Sequence, residues 1–208
     1  MKKLVMMLMA LCLTAVPATV NAQSKTVKKM VKAKMKDYKK TGAEIFGSSL
    51  TLEAALTKHY TKMEEQGDKV REIVGFSQAK SYNLAMNAAK NSAANQYAND
   101  CSLQIKGRVL ADMALDVSEN PTEFDKFYAA YEGKVEQEIR GELRPSFSVK
   151  RNNPDGTISV EAYYFVDEDA ATKARIQAFK NAQTETEIAQ KYAQRISDFV
   201  NERVTPQQ

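Results

Sequence analysis

The chain has 208 residues, with 30 lysines and arginines against 26 aspartates and glutamates, and only eight glycines and five prolines. That length holds one domain with a real core rather than two, and the scarcity of glycine and proline favours helix over loop. The small net charge of +4 hides an uneven distribution, because residues 25 to 40 hold eight lysines against the single acid Asp37.

The chain opens with Lys2 and Lys3, continues through an uncharged apolar run from Leu4 to Val16, and reaches the small residues Ala18 to Ala22. A positive start, a short apolar stretch and a small-residue cleavage site make a secretory signal peptide over 1–22, with Val20 and Ala22 at the −3 and −1 places. The apolar run is shorter than the roughly 20 residues a membrane span needs. Cys12 follows Leu11, which is not the small residue that precedes a lipidated cysteine. The expected mature chain is exported to the periplasm, the cell surface or the medium, with no transmembrane span. Cleavage would leave Cys101 as the lone cysteine, so no internal disulfide is possible. The first reading of Cys101 is a small buried hydrophobe; the sharper one is a disulfide between chains.

Val27, Met30, Val31, Met35 and Tyr38 recur at helical spacing with lysines between them, and Thr41-Gly42 stops the pattern. Residues 23–47 are therefore read as a basic amphipathic helix and linker, ahead of a single domain over 48–208. Ser48-Ser49 offers an N-cap to a helix over about 50–65 that carries Leu52, Leu56, Tyr60 and Met63. A strand follows over about 70–78, in which Gly75 predicts a bulge or a close backbone contact.

From Tyr82 the chain is alanine-rich. Ala85, Ala88, Ala89, Ala93 and Ala94, with Tyr82, Ser92, Gln96 and Tyr97, form a narrow face open to close approach, on a helix that runs to about Leu115 and that Gly107 can bend. After Asn120-Pro121, with Thr122 as N-cap, Phe124, Phe127, Tyr128, Tyr131, Val135 and Ile139 make the stripe of a helix to about 141. Alternation over 146–150 and 157–166, around Asn152-Asn153-Pro154-Asp155-Gly156, predicts a β-hairpin over about 145–166. One long helix, about 168–203, closes the chain, with Asp167, Glu168 and Asp169 at its start. The fold class is α+β: a small antiparallel sheet, the strand at 70–78 plus the hairpin, with helices packed on one face.

Chemistry is sparse. His59 is the sole histidine, and with no evident partner it reads as a surface or supporting residue; a dyad with Cys101 would need the fold to bring them together. There is no zinc-type spacing, no phosphate-cradling loop and no EF-hand pattern, so no cofactor or metal is expected. Lys25, Lys28, Lys29, Lys32, Lys36, Lys39 and Lys40 are the candidate binding residues. Their partner would be an anionic envelope component or an acidic protein rather than nucleic acid, since Tyr38 is the only aromatic among them. The alternative to a solvated face is thus a docking face.

The stretch Ile73-Val74-Gly75-Phe76-Ser77-Gln78-Ala79, followed by Ala85, Ala88, Ala89 and Ala93, resembles the core of the twenty-kilodalton lipoprotein-like family of bacterial envelope proteins. The lysine-rich helix, Leu52-Glu53 and Tyr60 are similar to exported relatives in Bacteroides-type bacteria. The resemblance implies an α+β fold and an envelope location, and carries no catalytic residue. The expected function is a non-enzymatic binding or structural module of the cell envelope, with its alanine faces as the candidate surface for a homo-oligomer; the alternative is a small envelope hydrolase using carboxylates that the sequence does not single out.

Overall fold

The computed structural model describes residues 24–204, so the expected signal peptide over 1–22, Cys12 within it and the expected stop at Thr205-Pro206 lie outside the described residues. Helix α1 spans Lys25–Thr41. The Ser24 hydroxyl accepts from Val27 N at its start, and Gly42 leaves it in the left-handed region at φ 67°. Strand β1, Glu44–Phe46, follows in what reads as linker. Three residues are too few for any periodicity to show. Helix α2, Leu52–Gln66, is capped by Thr51 rather than by Ser48 or Ser49.

Strand β2, Val70–Ala79, leads to helix α3, Tyr82–Glu119, and then to helix α4, Pro121–Glu142. The long helix α3 departs from helical geometry at Met113 and not at Gly107. Proline at the first position starts α4, in place of a Thr122 cap. Strands β3, Arg144–Asn152, and β4, Ile158–Asp167, form the expected hairpin. Its turn is closed by Asn153 N to Thr157 O at 2.8 Å, with Gly156 at φ 79°.

The expected final helix is three helices: α5 Glu168–Gln183, α6 Glu187–Lys191 and α7 Ala193–Asn201. The break falls where Thr184 and Thr186 turn their hydroxyls back onto the carbonyls of Asn181 and Ala182. Such local side-chain bonds compete with the helical ladder, and an alanine periodicity that runs through them does not register it.

The sheet order is β1-β3-β4-β2, and every pairing is antiparallel. The α+β class holds, but helices cover both faces rather than one. Ile73, Val160, Ala162, Tyr164 and Val166 face a core shared with α3, α4 and α5. Phe147, Val149 and Tyr163 on the opposite face belong to a second core with Val27, Val31 and Tyr38 of α1 and Leu56 and Tyr60 of α2. In β4 this second face reads Ser159, Glu161, Tyr163, Phe165, a half-polar set that conceals its burial in the sequence. All six stripe residues of α4 are buried, whereas Ala88 and Gln96 of α3 are exposed and lie outside its buried face.

Among those six, Tyr131 is fully buried and its hydroxyl has no hydrogen-bond partner among the described residues. Burial pushes the phenol well above its usual range, so it stays neutral. An unsatisfied buried hydroxyl costs free energy, and Tyr131→Phe is therefore expected to raise stability by about 1 kcal/mol. Urea denaturation checks this; a lower midpoint for the variant would show that the hydroxyl is bonded.

Candidate functional site

Burying Val27, Val31 and Tyr38 fixes which way α1 faces. At about 100° per residue, Lys25, Lys28, Lys29, Lys32, Lys36, Lys39 and Lys40 then fall within an arc of about 120° on the opposite side, along about 22 Å of helix. All seven are exposed, and none forms an ion pair with a described residue. The structure thus brings together every lysine that the sequence singles out. Lys34, the eighth, projects to the other side, where its Nζ reaches Glu161 Oε1 at 3.3 Å.

That inner side is anchored by a hydrogen-bonded chain. Tyr38 Oη donates to Tyr163 Oη at 2.6 Å, and Tyr163 Oη donates to Glu161 Oε1 at 2.5 Å. Burial is the main reason that both phenols are pushed above their usual range, and both remain neutral donors. A cleft of about 500 Å³ opens beside the chain, between α1 and the sheet, with Lys34, Tyr38, Lys150, Arg151 and Glu161 in its walls. The lysine face is therefore mounted on the second core and is a layer of the folded protein.

His59 departs from its expected place. It is 1% exposed, in the second core. Its ring stacks on Phe165 with centroids 4.6 Å apart and meets Tyr60, Phe147 and Tyr163 edge-on. Nδ1 lies 2.9 Å from Ser146 Oγ, and Nε2 makes a short hydrogen bond to the Glu72 carboxylate. Cys101 is on the other side of the sheet, in the first core, so the two form no dyad. It is a free, buried thiol as first read, and burial pushes its pKa up to about 12, which keeps it protonated and unreactive.

Asp167 caps α5 by accepting from Asp169 N and Ala170 N, so the acidic run starts a helix. No group of three His, Cys, Asp or Glu among the described residues could hold a metal ion. No described helix is long and apolar enough to cross a membrane. No family model matches the chain, and no curated protein or solved structure is significantly similar to it.

Proposed function

We propose that this chain is an exported cell-envelope protein that docks on anionic lipid surfaces through the outward face of α1. The observation that carries this reading is the single arc of seven exposed, unpaired lysines. A solvated helix usually mixes charges of both signs; Asp37 is the only acid in α1. Val27, Val31 and Tyr38 of the α1 stripe are consumed by the second core, and Met30 is the exposed large apolar side chain of this helix, too little to insert into a bilayer. Docking is then electrostatic adsorption, which needs no bond-making chemistry. Lysines 25–40 with Asp37 carry +7, while the mature chain as a whole carries +2, which leaves the remainder at −5. The acidic remainder turns the basic face toward a negative surface. The resemblance of the Ile73–Ala79 stretch to envelope lipoprotein-like proteins accords with this setting.

Near an anionic surface each lysine contributes about 1 kcal/mol. Replacing Lys28, Lys32, Lys36 and Lys39 together by Gln is therefore expected to weaken binding to phosphatidylglycerol-containing vesicles by about 10²-fold or more. Vesicle sedimentation at low and high salt checks it. Binding should be absent on pure phosphatidylcholine and lost at high salt, where charges are screened within a few ångströms. Equal binding to both vesicle types, or binding only to a soluble acidic polysaccharide, would overturn the lipid reading.

A further inference from the structure

Among the described residues, the lysine face leaves unused a constellation that has the parts of a reaction centre. His59 on α2, Glu72 on β2 and Ser146 on β3 are far apart in sequence and meet at one imidazole. We propose that Ser146 and His59, positioned by Glu72, form an acyl-transfer centre that hydrolyses small esters bearing an anionic group.

The hydrogen bonds set the tautomer. A carboxylate only accepts, so His59 Nε2 carries the proton that bonds to Glu72, and in the neutral imidazole Nδ1 is then the bare lone pair. Nδ1 faces Ser146 Oγ at 2.9 Å, so the serine hydroxyl donates to the base. This is the proton arrangement that activates a serine, with the roles of the two ring nitrogens exchanged relative to the usual triad.

The fold aims the serine. Pro145 pairs with Tyr164 and Phe147 with Tyr163, so Ser146 is the extra residue of a β-bulge and stands outside the ladder. Bulges are common beside active sites because they redirect a side chain. Four aromatic rings pack around the imidazole and fix its orientation toward Ser146.

Ser146 also lines a cavity of about 200 Å³ with Leu50, Phe147 and Phe165, and with Lys58, Lys62 and Arg144. The apolar wall suits a short acyl group. The three cations supply positive potential for an anionic substituent and for the oxyanion that develops at the carbonyl.

In the reaction, Ser146 Oγ bonds to the ester carbonyl carbon as its proton passes to Nδ1. The carbon–oxygen bond to the alcohol breaks, and Nδ1 returns that proton to the leaving oxygen. Water then attacks the acyl-serine, giving its proton to Nδ1. The acyl–Oγ bond breaks, the proton returns to Oγ, and the carboxylic acid leaves. Glu72 holds the Nε2 proton throughout and is a positioning residue.

The test uses the full mature chain with a fluorophosphonate probe and with p-nitrophenyl acetate. A single covalent adduct on Ser146 is expected by peptide mass spectrometry, absent in Ser146→Ala. Ester hydrolysis should fall by about 10²–10⁴-fold in that variant. Glu72→Gln, which no longer enforces the tautomer, should lower the rate and change the shape of the pH profile while circular dichroism stays that of the parent. A folded parent that forms no adduct, an adduct elsewhere, or parental hydrolysis by Ser146→Ala would overturn the proposal. The three groups would then be a structural hydrogen-bond network joining α2 to the sheet.

Discussion

Gly75→Val is expected to leave the protein largely unfolded. A Cβ at Gly75 would stand 1.8 Å from Ala89 O, 2.7 Å from Ala89 C and 3.0 Å from Ala93 N. All three are backbone atoms of α3, so no side chain can swing aside to make room. Relief requires lifting α3 off β2, which would open the first core along Ala85, Ala89 and Ala93. Ser77 Oγ to Ala85 O at 2.5 Å would be pulled apart with it. A loss of about 4 kcal/mol or more follows, which is a large part of the stability of an ordinary domain. Gly75→Ala should already show most of it, because the clash is at Cβ itself. The comparison is Gly107→Ala, an exposed helical position where a Cβ meets nothing within 4 Å. There a gain of about 0.5–1 kcal/mol is expected from helix propensity. Urea midpoints of the three variants check both signs. Parental stability in Gly75→Ala would mean that α3 does not lie this close to β2.

Arg175→Ala is the second large effect. Arg175 is 1% exposed and donates to Tyr97 Oη at 2.5 Å, Thr172 Oγ1 at 2.8 Å and Glu168 Oε1 at 3.1 Å. It also reaches the carbonyls of Val200 and Glu202, each at 3.3 Å, and so holds the end of α7 against α5. Burial works against its charge, but Tyr97, Cys101 and Glu168 outweigh that and hold its pKa above the usual value. Removing it strands the Glu168 carboxylate and the two carbonyls, and breaking one side of a buried pair costs about 3–5 kcal/mol. Arg175→Met with Glu168→Gln should recover part of the loss, because neither partner is then left charged. Hydrogen exchange should rise over 193–201 in Arg175→Ala before it rises in α3. A uniform rise would show that the arginine is not a local clamp.

These contacts show where the sequence was readable and where it was not. The stripe of α4 was legible because six large apolar residues at helical spacing have one way to be buried. The hairpin was legible because Asn153 to Gly156 is turn chemistry between two alternating runs. Gly75 was flagged by its own oddity within a strand. The choice between a bulge and a close contact needed α3, and β2 pairs with β4 without a register shift.

The candidate sites divide in the same way. The seven lysines were visible in the sequence, because a helical repeat fixes their common side once α1 is recognised. What set Lys34 apart was Glu161, 127 residues away. The partners of His59 are not legible in the sequence, because no spacing links it to Ser146, 87 residues on, or marks Glu72 as the carboxylate it meets. Periods of two or 3.6 residues along the chain are enough to give α1, α4, the hairpin and the basic face, but they run through the breaks that divide α5, α6 and α7. That α1 and α2 cover the second face of the sheet, and that Ser146 and Glu72 converge on the His59 imidazole, emerges only from packing. Those outcomes depend on which surfaces pack together, a choice made by summed burial and shape across the whole core rather than by any local pattern.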